Sequence, residues 1–167
     1  FTRGIPLYSV LLGLEIEGTV EVGVAYFPAL GEMVAAATGE GCWWNGRRAK
    51  VSEVSNLDRA TVVFSDVGNM AKYGKGEAWE RIQAASYFRT GLGDAYGHML
   101  VATGRAELML DPIMSDWDCG PFPPILKEAG GYFGDWHGNT TIHAKEAMST
   151  TQALLPEVLK VIEGDKL

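Results

Sequence analysis

The first third of the chain is a series of short apolar, β-branched runs separated by turns only a few residues long, a pattern that admits an antiparallel sheet and little else. Residues 8–16 and 20–27 are rich in Val, Ile and Leu, with partial alternation in Leu14-Glu15-Ile16-Glu17 and Val20-Glu21-Val22 around Glu17-Gly18-Thr19. That spacing predicts a hairpin. Pro28-Ala29-Leu30-Gly31 turns the chain into a third run over 32–38, and Asn45-Gly46, a strong two-residue hairpin signal, follows Cys42-Trp43-Trp44. Residues 1–55 therefore read as an antiparallel meander.

From residue 56 onward, strand alternates with helix. Residues 60–65 read as a strand, and 76–85 as a helix with Trp79, Ile82 and Ala85 at helical spacing. A short strand is expected over 86–89, a helix over 94–103 with Asp94 near its start and Gly104 as its stop, and a strand over 106–110. Tyr132-Phe133-Gly134-Asp135-Trp136 reads as a strand leading into a His137-Gly138-Asn139 turn. The last helix spans about 156–162, with a start as early as Thr151 also compatible. Such a mixture predicts layered sheets and helices in one α/β (α+β) unit, with residues 56–167 as its mixed part.

Composition excludes several classes of function. With 47% hydrophobic and 21% charged residues and a mean hydropathy near zero, the chain reads as one soluble globular domain. Its formal charge of -7 argues against a nucleic-acid surface, which needs clustered Lys and Arg. Arg47-Arg48 with Lys50 is the one basic group, and a solvated hairpin edge accounts for it. No apolar run is long enough to span a membrane. Cys42 and Cys119 lie too far apart in sequence for a paired zinc motif or a disulfide framework, which fits a reducing cytoplasm.

Ser115-Asp116-Trp117-Asp118 precedes a helix-like Pro124-Ile125-Leu126-Lys127-Glu128-Ala129 that stops at Gly130-Gly131. A carboxylate fixed at a helix start can act as a rigid metal ligand where unpaired N–H groups also attract phosphate. Asp is equally a common N-cap, and a Gly pair an ordinary C-cap. Pro121, Pro123 and Pro124 complicate either reading, because only the first turn of a helix tolerates missing N–H donors. Either the regular helix begins near Pro123 or its first turn is distorted, and Asp118 then sits in an irregular segment leading to it. Asp116 reads as solvated charge in a turn, and Trp117 and Cys119 as packing residues.

The run Trp117-Asp118, an apolar spacer, then Glu128-Ala129-Gly130-Gly131 resembles the C-terminal signature of the inositol monophosphatase family, the magnesium-dependent phosphomonoesterases. Phe1-Thr2-Arg3-Gly4-Ile5-Pro6-Leu7-Tyr8-Ser9-Val10, Val22-Gly23-Val24-Ala25-Tyr26-Phe27-Pro28 and Gly39-Glu40-Gly41-Cys42-Trp43-Trp44-Asn45-Gly46 look like successive segments of that family in order, so nearly the whole chain is covered. Arg89-Thr90-Gly91-Leu92-Gly93-Asp94-Ala95-Tyr96-Gly97-His98 and Val101-Ala102-Thr103-Gly104-Arg105-Ala106-Glu107 are most similar to the histidinol-phosphatase branch, which dephosphorylates histidinol phosphate in histidine biosynthesis.

The resemblance implies an α-β-α-β-α sandwich of the inositol monophosphatase/fructose-bisphosphatase type, with residues 1–167 as its C-terminal portion and the first helical layer largely missing. The family's Asp-Pro-Ile-Asp-Gly-Thr metal loop would lie just before Phe1, and a Glu-bearing helix further upstream, so this chain alone is expected to bind metal weakly and turn over poorly. Asp118 is implied as a ligand of catalytic Mg2+. Gly93, Asp94 and Ala95 are implied to line the substrate pocket, and Asp111 to contact the leaving alcohol. Arg89 is placed to reach the phosphate, with a surface ion pair as the alternative.

Inositol phosphatases usually carry small neutral residues where Asp94 stands. A neutral polyol offers a buried carboxylate no charge partner, whereas the ammonium and imidazole of histidinol do, which favours histidinol phosphate as the phosphate monoester. Asp94 also reads as an N-cap and Asp111-Pro112 as a turn initiator. The family is commonly dimeric, and exposed apolar surface on the meander favours a homodimer. His98, His137 and His143 lack metal-ligand spacing and stay outside the expected site. An inositol-phosphate or related phosphatase, and a truncated non-catalytic dimerising domain, remain the competing readings.

Overall fold

The computed structural model describes residues 2–164; Phe1, at the head of the first resembling segment, lies outside the described residues. The meander forms as its turn chemistry dictates. Strands β1 (Val10–Ile16), β2 (Thr19–Phe27), β3 (Glu32–Ala37), β4 (Gly41–Trp44) and β5 (Arg47–Arg48) pair antiparallel in sequence order. At Glu17-Gly18 (φ 50° and 82°) and Asn45-Gly46 (φ 46° and 77°) both central residues adopt the left-handed conformation whose twist matches that of hairpin strands. Asn45 adds a clamp: its side chain accepts the Met33 N–H at 2.7 Å and donates to the Gly31 carbonyl at 2.9 Å.

The second half runs β6 (Thr61–Phe64), α1 (Val67–Lys72), α2 (Gly76–Ala85), β7 (Phe88–Gly91), α3 (Ala95–Ala102), β8 (Leu108–Asp111), α4 (Asp116–Cys119), α5 (Phe122–Glu128), β9 (Gly131–Gly134), β10 (Ala147–Thr151) and α6 (Leu155–Glu163). Its sheet has the order β7-β6-β8-β10-β9, with β7, β6 and β8 parallel and β10 antiparallel to both of its neighbours, β8 and β9.

Two cores stack the layers. Ala25, Phe27 and Val34 of the meander meet Met99 of α3, Phe122, Ile125 and Leu126 of α5, and Met109 and Phe133 of the second sheet. On that sheet's other face, Val62, Leu108, Leu110 and Met148 pack against Trp79 and Ile82 of α2 and Val158 and Ile162 of α6. Leu108-Met109-Leu110 thus alternates between two buried faces, the pattern of a strand covered on both sides. The described layers are sheet, helices, sheet, helices, consistent with the expected sandwich. The outer row of β1 is uncovered here, with Val10, Leu12, Leu14 and Ile16 between 48% and 60% exposed. No helix among the described residues is long and apolar enough to cross a membrane.

Several expectations need correction. β7 starts two residues later than predicted, because the Ser86 N–H still bonds back to Ile82 of α2 and the Tyr87 N–H bonds to Leu57. α1 was not expected; the Asp66 side chain caps it at Gly68, while Gly68 and Asn69 conceal it from propensity. β10 was not expected either, although it is an interior strand with all five residues buried. Its Ser-Thr-Thr reads as polar, but Ser149 pairs with His98 and the Thr150 hydroxyl donates to the Glu107 carbonyl at 2.8 Å.

The prolines decide the region around Asp118. α5 begins at Phe122, with Pro123 and Pro124 in its first turn, where their missing donors are not needed. Asp118 therefore does not stand at the N-cap of a long helix. It lies in the separate single turn α4, whose N-cap position is Ser115. Trp117 is not a packing residue, being 78% exposed, whereas Cys119 is fully buried as expected.

Candidate active site

Parallel strands send their carboxyl ends to one edge, and the loops that leave them there enclose a crevice. β6, β7 and β8 do this: Ser65 and Asp66 follow β6, Leu92 to Ala95 follow β7, and Asp111 ends β8. Together with Asp118 on α4 and residues of the segment before β1, they line a cleft of about 930 Å³. The structure thus brings Gly93, Asp94, Ala95, Asp111 and Asp118, far apart in sequence, to one cavity.

Gly93 has a steric reason to be glycine. A Cβ there would stand 2.5 Å from Cα and 2.8 Å from Cβ of Ser65, so any side chain would push the two loops apart. α4 is seated just as closely, since a Cβ on Gly13 of β1 would come within 2.8 Å of the Gly120 backbone. The meander therefore fixes the turn that carries Asp118.

Asp111 is 1% exposed. Its Oδ1 accepts the Ser65 hydroxyl at 2.9 Å, while Oδ2 has no partner among the described residues. The turn-initiator reading retains only a 3.5 Å contact from the Ile113 N–H. Burial, and then the charge of Asp94, push the Asp111 carboxyl up to about 7. Asp94 occupies the N-cap position of α3 but makes no side-chain capping bond, so that explanation of it lapses. Although solvent reaches it at the cleft mouth, its recess raises its pKa above the ordinary carboxylate value, and the charge of Asp118 adds to the rise.

Asp94, Asp111 and Asp118 thus form one electrostatic cluster, and no described residue lining the cleft is Lys, Arg or His. Such a cleft repels a phosphate and attracts cations. Half-buried Asp118 offers a hard oxygen of the kind a magnesium ion takes, and Asp111, whose Oδ2 is unpartnered among the described residues, lines the same negative recess. Among the described residues, no group of three or more His, Cys, Asp or Glu side chains converges closely enough to hold a metal ion. Carboxylate oxygens are the donor type that Mg2+ takes.

Arg89 is not brought to the cleft. It is exposed on β7 and donates through Nη1 to the Ser86 carbonyl at 2.6 Å, back along its own strand. His98 is buried between Phe122 and Phe133, its Nδ1 lies 2.7 Å from the Ser149 hydroxyl, and burial lowers its pKa to about 3. It is a core histidine. His143 holds Asp116 at 2.8 Å on the surface beside α4. Sequence reasoning missed Ser65 and Asp66; their signal is a Ser-Asp pair directly after the apolar strand Val62-Val63-Phe64.

Comparisons with known proteins identify relatives of this chain. A histidinol-phosphatase from Chlorobaculum parvum is 42% identical over 142 residues, which make up 85% of this chain and 55% of that protein. Another from Mycobacterium tuberculosis is 30% identical over 164 residues, 95% of this chain and 63% of that protein. The solved IMPase of Thermotoga maritima superposes with a TM-score of 0.86 at 29% identity, covering 98% of this chain and 63% of that one. The chain therefore spans less than two thirds of the length of these relatives. Residues 1–164 match the model of the inositol monophosphatase family, and the chain belongs to that family.

Proposed function

We propose that the protein carrying this chain is a magnesium-dependent phosphomonoesterase that releases phosphate from histidinol phosphate. The observation that supports the substrate is Asp111: a buried carboxylate with an unpartnered oxygen, beside Asp94, in a cleft lined by no cationic side chain among the described residues. A buried charge is tolerated when it is paired, and a leaving alcohol that carries an ammonium or imidazolium group supplies the pair. A neutral polyol does not. The name of the 42%-identical relative supports the same choice.

In this reading Asp118 holds Mg2+, together with ligands that this chain does not supply. Bound magnesium neutralises phosphate oxygens and lowers the pKa of water. Ser65 fixes Asp111 through its hydroxyl, and Asp111 and Asp94 orient the cationic alcohol so that its phosphate ester faces Asp118. Gly93 and Ala95 leave room for the substrate at the start of α3. The full account includes a homodimer in the cytoplasm.

The test is phosphate release by the intact gene product from histidinol phosphate and inositol monophosphate, each with and without Mg2+. Magnesium-dependent release with kcat/KM at least about tenfold higher for histidinol phosphate is the expected result, a difference of about 1.4 kcal/mol. Preference for inositol monophosphate, favoured by the likeness to the Thermotoga maritima IMPase, overturns the substrate assignment. No release from either places the protein among non-catalytic binding domains.

A further inference from the structure

The cleft has a fourth carboxylate that the reading above does not use. Asp66 leaves the carboxyl end of β6 beside Ser65 and lines the same cavity as Asp94, Asp111 and Asp118. Its Oδ1 accepts the Gly68 N–H at 2.8 Å, its only side-chain hydrogen bond among the described residues. Asn69 lies three residues on, on the same face of α1, and lines the cavity too. Ser65 anchors this loop on the far side, because its hydroxyl is committed to the buried Asp111.

An exposed Asp that caps a short helix needs no function. Two further observations point to a ligand. Asp111, which lines the cavity, is buried and its Oδ2 has no partner among the described residues, an arrangement that favours a cation or donor beside it. The acidic groups also sit on different loops: Asp66 after β6, Asp94 after β7 and Asp111 at the end of β8. A ligand with one positive centre is satisfied by the Asp94–Asp111 pair, which leaves Asp66 for another group.

Resting on the proposed function, we infer that Asp66, supported by Asn69, is a specificity-determining residue that receives a second nitrogen-bearing group of the leaving alcohol. The preferred substrate class is then the phosphate monoester of an alcohol with two separate cationic or N–H-donating groups. A monoamine alcohol fills half of this arrangement and a polyol none of it.

The experiment is calorimetric titration of the intact protein with free histidinol and with myo-inositol, comparing wild type with Asp66→Asn. Asn caps helices as well as Asp does, so the variant keeps the bond to Gly68 and removes only the charge. Histidinol affinity should fall about 3- to 5-fold, the worth of a partly exposed ion pair, and less in high salt. Inositol binding should not change. In turnover, KM for histidinol phosphate should rise by the same factor with kcat unchanged.

Equal losses for both ligands, no loss for either, or no histidinol binding by the wild type overturns the inference. Should Asp66→Asn melt lower than wild type, Asp66→Ser, which also caps, is read by the same criterion. Binding needs no turnover, so a protein that binds histidinol through Asp66 yet releases no phosphate contradicts the proposed reaction and leaves this assignment standing.

Discussion

Replacing Asp111 with Asn should stabilise the metal-free protein above neutral pH while damaging its activity. Asn retains the volume and can still accept the Ser65 hydroxyl through its carbonyl oxygen, but it has no charge to bury. In the folded chain the Asp111 carboxyl is raised to about 7, against an ordinary value of 3.8. The folded state therefore binds the proton more tightly than the unfolded state. Stability linked to this proton is fully present below about pH 4 and is lost as pH rises through about 7. Three units correspond to about 4 kcal/mol at 1.36 kcal/mol per unit, an upper bound because the open cleft admits water. About 2–4 kcal/mol is the working range.

At 2–4 °C per kcal/mol for a chain of this size, the variant should melt about 4–16 °C above wild type at pH 8 and within about 2 °C of it at pH 4. Circular-dichroism melts in chelator across that range give the difference directly, and other titrating groups cancel between the two proteins. If the two melting curves run parallel from pH 4 to 8, or the variant is the less stable at pH 8, Asp111 is not a buried unpaired charge. The account of the cleft then fails.

Other sites carry independent expectations. Gly93→Ala should cost about 1–3 kcal/mol by overpacking against Ser65, seen as a lower Tm, and should raise KM because the cleft wall moves. Glu128 accepts the Gly39 and Gly41 N–H groups at 2.9 and 2.8 Å, which lowers its pKa. Its contribution is therefore present above the unfolded value of about 4.3 and lost as pH falls through the lower folded value. Glu128→Gln should destabilise on the order of 1 kcal/mol at pH 7 and not at all in strong acid, measured by urea melts at both pH values. Arg89→Ala should leave KM and kcat within about twofold of wild type, since the guanidinium points back to Ser86; a larger loss in steady-state assays would return Arg89 to the site.

Local chemistry made some elements legible and left others hidden. Glu17-Gly18 and Asn45-Gly46 announce the meander because left-handed turns need particular residues. α2 falls on its predicted bounds because Trp79 and Ile82 repeat at the helical period over one buried face. The proline cluster correctly signals a break before α5, yet nothing local says that Asp118 forms its own turn. β10 escaped notice because Ser149 and Thr150 are polar by type and apolar by circumstance, their hydroxyls satisfied by His98 and Glu107, which only the tertiary fold supplies. The same holds for the site. Asp94 and Asp111 each have an ordinary local explanation, and only the convergence of three parallel strand ends sets those explanations aside. Ser65 and Asp66 belong to the site for the same reason, and Arg89 does not.

Asp118 as a metal ligand is the claim on which the rest stands, and anomalous scattering from manganese in crystals of the intact protein addresses it most directly. A peak about 2.0–2.3 Å from an Asp118 carboxylate oxygen, inside the cleft bounded by Asp94 and Asp111, is the predicted result. Manganese bound only away from Asp118, with that carboxylate free, would contradict it.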